Sequence, residues 1–235
     1  MSTKSSRDVF SDEDIYDRIF GAIQDHSLPP GTRLVEEALC ETFGATRQRV
    51  RKVLSQLAFA HVVTIEPHRG ASVSKPGIEE ARQVFAARRV IESAIVRDLT
   101  GRLKPRDRAF LSEHIDREAQ AARQSDRAEV IRLSGEFHLE IARINGNQVL
   151  EQFLRELVIR ESLVIAAYER PGQSSCSYHE HATMLEAVAG NDPETSVRVT
   201  LEHLGNIEDR LDLNRDRDAP LDVSAVLLRR RSASR

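Results

Sequence analysis

The sequence predicts a mainly α protein in two parts. A small N-terminal unit of three helices and a hairpin precedes an all-α bundle of six to seven helices. Three observations predict it. Apolar residues recur at helical spacing along most of the chain, as at Ile15, Ile19, Ala22 and Ile23. β-Prone residues gather once, in 61–74, on either side of Pro67-His68-Arg69-Gly70. Lys75-Pro76-Gly77 then divides the chain, after which Pro and Gly thin out and helical periodicity runs to about residue 213.

Taken in order, residues 11–26 read as an amphipathic helix capped by Ser11, and Leu28-Pro29-Pro30-Gly31 stops it. Short helices follow at 34–43 and 46–60, with Gly44 between them and Thr46 as the cap of the second. Val50, Val53, Leu54 and Leu57 form the core face of that second helix. Runs 61–66 and 71–74 make the hairpin, and three helices plus a hairpin is the winged variant of the helix-turn-helix. Six further helices are expected at 78–100, 105–124, 126–144, 147–169, 176–190 and 192–213. Their breaks are Lys104-Pro105, Gln124-Ser125-Asp126, Asn145-Gly146-Asn147, Pro171-Gly172 and Gly190-Asn191-Asp192-Pro193. The expected organisation is a disordered 1–10, a winged domain at 11–75, a linker at 76–78, a helical domain at 79–213 and a flexible tail at 214–235.

The formal charge of -3 means that any nucleic-acid contact must rest on a local patch. Residues 1–75 hold ten Lys/Arg and ten Asp/Glu, so even that segment is neutral. Cys40 and Cys176 are too few and too far apart for a disulfide framework, which points to a reducing cytoplasm. The first residues are polar, with no apolar signal region behind Lys4 and Arg7, and the longest apolar run, 163–168, is far too short to span a bilayer. A soluble cytoplasmic protein with no membrane partner is expected.

The patch is on the helix 46–60. Arg47, Arg49, Arg51 and Lys52 crowd its first two turns, where a helix-turn-helix places its reading side chains. Arg47 and Arg51 lie one turn apart, suited to a guanine edge or two successive phosphates, with Gln48 between them. Thr46 and the free N–H groups of the first turn suit a phosphate. His68, Arg69 and Gly70 would form the wing tip, and Arg33 adds a cation ahead of the two helices. A solvated charged helix face is the bland alternative for a basic run alone; the Gly turn and hairpin in correct order argue against it.

Three of the eight histidines sit in apolar stripes. His181 shares a face with Met184, Leu185 and Val188; His203 lies between Val199 and Ile207; His138 precedes Ile141 and follows Ser134. Each belongs to a different helix, so a bundle could converge them, and neutral imidazoles gathered inside a bundle are natural ligands for Zn or Ni. Taken singly, a buried histidine is more often a hydrogen-bonded core residue than a ligand, and spacing leaves the choice open.

The motifs also carry a resemblance. Leu28-Pro-Pro-Gly-Thr-Arg-Leu34 resembles the L-x-P-G-x-x-L turn of GntR-superfamily regulators. The segment Phe43-Gly-Ala-Thr-Arg-Gln-Arg-Val-Arg-Lys-Val-Leu-Ser-Gln-Leu57 resembles their recognition helix, and Thr64-Ile-Glu-Pro-His-Arg-Gly-Ala-Ser-Val73 their wing. Arg49 stands where many members have Pro, and Lys52 where many have an acid. Beyond residue 79, Arg88-Arg-Val-Ile-Glu92, Glu136-Phe-His138, Glu180-His181 and His203-Leu204 are similar to the FCD effector domain of the FadR-like branch. The resemblance implies a homodimeric regulator, expected to be a repressor, that binds a palindromic double-stranded DNA operator and responds to a small carboxylate effector. It implies a divalent ion held by His138, His181, His203 and an Asp, but Ser134 occupies the Asp position here. It also puts Arg88 near the effector, where pairing with a carboxylate competes with a salt bridge to Glu92 one turn on. Arg160 is a further pocket candidate, and Cys176 could cap the helix it opens or line the pocket.

Two other readings compete. One is a histidine-ligated metal hydrolase, weakened because Glu136 and Glu180 are not spaced as a general base beside a ligand, as in H-E-x-x-H. The other is a constitutive DNA-binding protein with a vestigial pocket, which the Ser134 departure favours.

Overall fold

A computed structural model describes residues 10–170 and 178–213. The expectations for 1–9, for the break at Pro171-Gly172, for Cys176 and for the tail 214–235 lie outside the described residues.

The first helix, α1 (Asp12–Gln24), begins with a reciprocal cap. The Ser11 hydroxyl accepts the Asp14 N–H at 3.0 Å, and the Asp14 carboxylate accepts the Ser11 N–H at 2.8 Å. A two-residue strand, β1 (Arg33–Leu34), precedes α2 (Glu36–Phe43). Gly44 closes α2 at φ 59°, a left-handed conformation that costs glycine little, and Thr46 caps α3 (Arg47–Phe59). Strands β2 (Val63–Glu66) and β3 (Gly70–Val73) form the wing, with Ile65 opposite Ala71 and Glu66 opposite Gly70. β1 pairs with the far side of β3, so the antiparallel order is β1-β3-β2. The sequence reading contains no strand at 33–34, because two residues carry no measurable alternation.

The remaining described helices are α4 (Ile78–Leu99), α5 (Pro105–Arg123), α6 (Arg127–Asn145), α7 (Gln148–Tyr168), α8 (Tyr178–Ala189) and α9 (Pro193–Asp209). Asp126, Asn147 and Asp192 cap α6, α7 and α9 with their side chains, and Gly146 ends α6 at φ 88°. α4 is the central helix, packed on α9, α7 and α6. α6 and α7 approach closely at Gly135, where a Cβ would stand 2.9 Å from Val158 Cγ1.

Ile15, Ile19 and Ile23 of α1 bury against Val50, Leu54 and Leu57 of α3, each such side chain contributing about 1.5–3 kcal/mol. Ile159 and Leu163 of α7 belong to the same apolar cluster, so the winged domain and the bundle share a seam. His26 Nε2 donates across that seam to the Ser162 carbonyl at 2.9 Å. Among the described residues no helix is long and apolar enough to cross a membrane.

Candidate metal and effector centre and nucleic-acid face

α6, α8 and α9 bring His138, His181 and His203 together, all buried, with their ligand nitrogens within 4.8 Å of one another. Each ring is held from behind by a carboxylate. His138 Nδ1 lies 2.7 Å from Glu92, His181 Nδ1 2.7 Å from Glu118, and His203 Nδ1 2.8 Å from Glu180. A carboxylate only accepts, so each Nδ1 carries the proton and each Nε2 presents a lone pair to the centre. Burial keeps two of the rings neutral: it lowers His138 to about 4 despite Glu92, and His203 to about 3 despite Glu180. His181 Nε2 is buried with no hydrogen-bond partner among the described residues, and its ring stacks on Phe137 at 4.3 Å. Three inward lone pairs with no donor among them fit a divalent ion in chemistry and in spacing.

Beneath this centre lies a buried ion network. Arg88 is fully buried and binds Glu92 at 2.6 Å with Nε and Glu161 with Nη1. Burial alone would raise the Glu92 carboxyl, but Arg88 and His138 overcome it and bring it to about 2. Burial pushes the Glu161 carboxyl up, only partly opposed by Arg88. The Arg88 guanidinium is therefore shared between two carboxylates, and the salt bridge to Glu92 is formed.

A cavity of about 360 Å³ reaches this centre along His138 and Ser134, with Glu161 and Ser162 of α7 on its wall. Ser134 lies one turn before His138 on α6 and is buried. Arg160 does not line the cavity. It points toward Glu80 at 3.9 Å, because α7 turns its neighbours 159 and 161 inward instead. Of the two glutamates considered as bases, Glu180 is occupied by His203 and Arg210, and Glu136 by Arg132.

On the other domain, Thr46, Arg47, Gln48 and Arg51 are exposed at the start of α3, and the Thr46 hydroxyl accepts the Arg49 N–H. Arg47 is only loosely paired with Glu37 at 3.8 Å, whereas Arg51 Nε bonds both Glu36 oxygens at 2.9 Å. Arg49 departs from the expected outward set. It turns toward α1, binding Asp12 at 2.6 Å and the Phe10 carbonyl, and Lys52 meets the same Asp12 at 3.0 Å. The added charge at 49 and 52 is thus largely spent on α1 packing. His68 and Arg69 are exposed at the wing tip, with His68 at φ 64° and Gly70 at φ 83°. Arg33 reaches across the sheet to the Arg69 carbonyl at 2.9 Å, so it braces the wing.

Sequence reasoning missed Glu118, Glu161 and His114. Leu111, His114, Ile115 and Glu118 follow one another at helical spacing on α5, as do Leu154, Val158, Glu161 and Ile165 on α7. An acid inside an apolar stripe was the available signal. His114 donates to the Leu133 carbonyl at 2.8 Å and stands beside the centre as a packing residue.

A winged helix-turn-helix joined to an all-helical, histidine-lined domain defines a two-domain bacterial regulator. Residues 11–73 match the gntR family of bacterial regulatory proteins, and residues 83–206 match the FCD domain. The chain belongs to the GntR family, in the branch that carries an FCD domain. It is 25% identical over 134 residues to the HTH-type transcriptional regulator McbR of Escherichia coli K12, covering 57% of this chain and 61% of McbR. It is 22% identical to the HTH-type transcriptional repressor RspR of the same strain, over 77% of this chain and 80% of RspR. LutR of Bacillus subtilis 168, also an HTH-type transcriptional regulator, is 25% identical over 80% of this chain and 95% of LutR. The fold is shared with E. coli McbR/YncC, at TM-score 0.72 and 20% identity over 84% of this chain and 95% of that one. A GntR regulator from Rhodococcus sp. RHA1 superposes at TM-score 0.74 and 23% identity, with the same two coverages of 84% and 95%.

Proposed function

We propose that the protein is a cytoplasmic, effector-responsive repressor that binds a palindromic operator as a dimer and changes its DNA affinity when a small organic acid enters the helical domain. The convergence of three carboxylate-backed imidazoles on one buried point, at the end of a cavity that reaches the winged domain, carries this reading. A Zn or Ni ion held by His138, His181 and His203 would supply positive charge for an anionic effector, and Ser134 leaves one more position open to it. Arg47, Gln48, Arg51 and the wing residues His68 and Arg69 supply the DNA-facing side chains, with Thr46 and Gly70 shaping the backbone behind them. Dimerisation is supported by Val149 and Phe153, apolar side chains exposed one turn apart on α7. The likeness to RspR, a transcriptional repressor, supports repression.

The test is fluorescence anisotropy of the full chain with fragments of its own upstream region, with and without zinc and a panel of organic acids. Specific binding that at least one acid weakens supports the reading. Binding that is absent, or indifferent to every acid and to metal, overturns it.

A further inference from the structure

The cavity is not confined to the helical domain. Part of its lining is the face of α1 that carries Tyr16, Phe20 and Gln24, which belong to the winged domain; Ser134, His138 and Glu161 line it as well. The Tyr16 and Phe20 rings stack at 5.6 Å with 14° between their planes, giving a flat aromatic face. Glu161 is 5% exposed, and while Arg88 takes one of its oxygens, the other is buried with no hydrogen-bond partner among the described residues. A buried acceptor left without a donor is costly, and a ligand that supplies the donor gains what the empty site lacks. The volume of about 360 Å³ is at the small end for ligand sites, which suits a compact ligand.

We propose that this cavity takes a compact carboxylic acid with an aromatic or branched apolar body and a hydrogen-bond donor, a hydroxyl or an ammonium, and that α1 of the winged domain is one of its walls. This rests on the reading of the histidine centre as the acid-binding end. In the zinc-loaded protein the acid group would face the histidine end of the cavity at His138, the donor would meet Glu161, and the apolar body would lie on Tyr16 and Phe20. A ligand so placed touches the DNA-binding domain directly. Its occupancy is read at the seam by differential contact with α1, with no relay through the bundle.

The test is calorimetric titration of the zinc-loaded full chain with mandelate, phenylglycine, phenylacetate and lactate. Mandelate or phenylglycine should bind at least about tenfold tighter than phenylacetate, which lacks the donor, and than lactate, which lacks the ring. The better of the first two identifies the donor as hydroxyl or ammonium. Glu161→Gln should shrink the preference over phenylacetate, and Phe20→Ala, at a half-buried position, should weaken binding of the aryl acids about tenfold. Equal affinity for mandelate, phenylglycine and phenylacetate in the unaltered protein, or an unchanged Phe20→Ala, overturns the proposal and leaves acid-responsive regulation standing. No binding of any of the four acids overturns this proposal, while operator binding measured against the wider acid panel decides the regulatory reading on its own.

Discussion

His138 and His203 face each other Nε2 to Nε2 at 3.2 Å, and each has its Nδ1 committed to a glutamate. With both protons on the far side, two lone pairs are opposed in a buried space, and His181 adds a third Nε2 that is unpartnered among the described residues. A divalent cation held there would relieve that repulsion by taking the three lone pairs as ligands. Zinc at about 100 times its Kd should stabilise the fold by about 2.7 kcal/mol, seen as a rise in Tm that a chelator reverses. His181→Ala should remove both the bound metal and the Tm rise. A wild-type Tm indifferent to zinc and chelator would refute the centre.

Glu118 touches no ligand nitrogen of the centre, yet it fixes the tautomer and angle of His181 from 2.7 Å. Glu118→Gln keeps the shape and can present an N–H where an acceptor is needed. Metal affinity should fall about 10- to 100-fold while the three histidines stay in place. Competition with a chelating dye measures it, and an unchanged affinity would show that the carboxylate is only a packing partner.

Arg88 is fully buried between Glu92 and Glu161. Removing the cation leaves two carboxylates without their shared partner in a low-dielectric interior. Arg88→Met should cost about 3–5 kcal/mol in denaturant unfolding, and the Arg88→Met/Glu161→Gln double variant should recover part of the loss. A cost below about 1 kcal/mol would mean that water reaches the network.

How much of this was legible in the sequence follows from the range of each interaction. Helix positions were legible because the 3.6-residue period and the Pro, Gly and Asp/Asn breakers act locally; the expected and observed helix ends differ by a few residues at most. The three histidines stood out as polar residues in apolar stripes. Their pairing with carboxylates did not, since Glu92–His138 and Glu118–His181 are joined only by the way α4 meets α6 and α5 meets α8. Arg49 and Lys52 were expected to face DNA for the same reason: their contact with Asp12 depends on how α1 crosses α3.

That crossing separates two arginines on one helix. Arg47 is exposed and loosely held, whereas Arg49 is tied to Asp12 and Phe10. Arg47→Ala should abolish specific operator binding with Tm unchanged. Arg49→Ala should instead lower Tm and change DNA affinity less. Anisotropy titrations over a salt series check this, because losing a phosphate contact reduces the salt slope by about 1. The reverse pattern would mean that Arg49 swings outward to read DNA.

His26 offers a pH test at the domain seam. Burial lowers its pKa below 6.5, opposed by its bond to the Ser162 carbonyl, with Arg127, Glu169 and Asp25 as the charged groups that act on it. A ring whose folded pKa is depressed binds its proton more readily in the unfolded chain. Its stabilising contribution is therefore present above pH 6.5 and is lost as pH falls toward the folded value. His26→Gln removes this ring while offering a side-chain amide near Ser162. Below pH 6.5 the variant should lose stability less steeply than wild type, with the other buried histidines cancelling in the difference. Tm measured from pH 7.5 to 5 on both proteins, under identical metal loading, decides it; parallel curves would show that His26 titrates alike in the folded and unfolded chains.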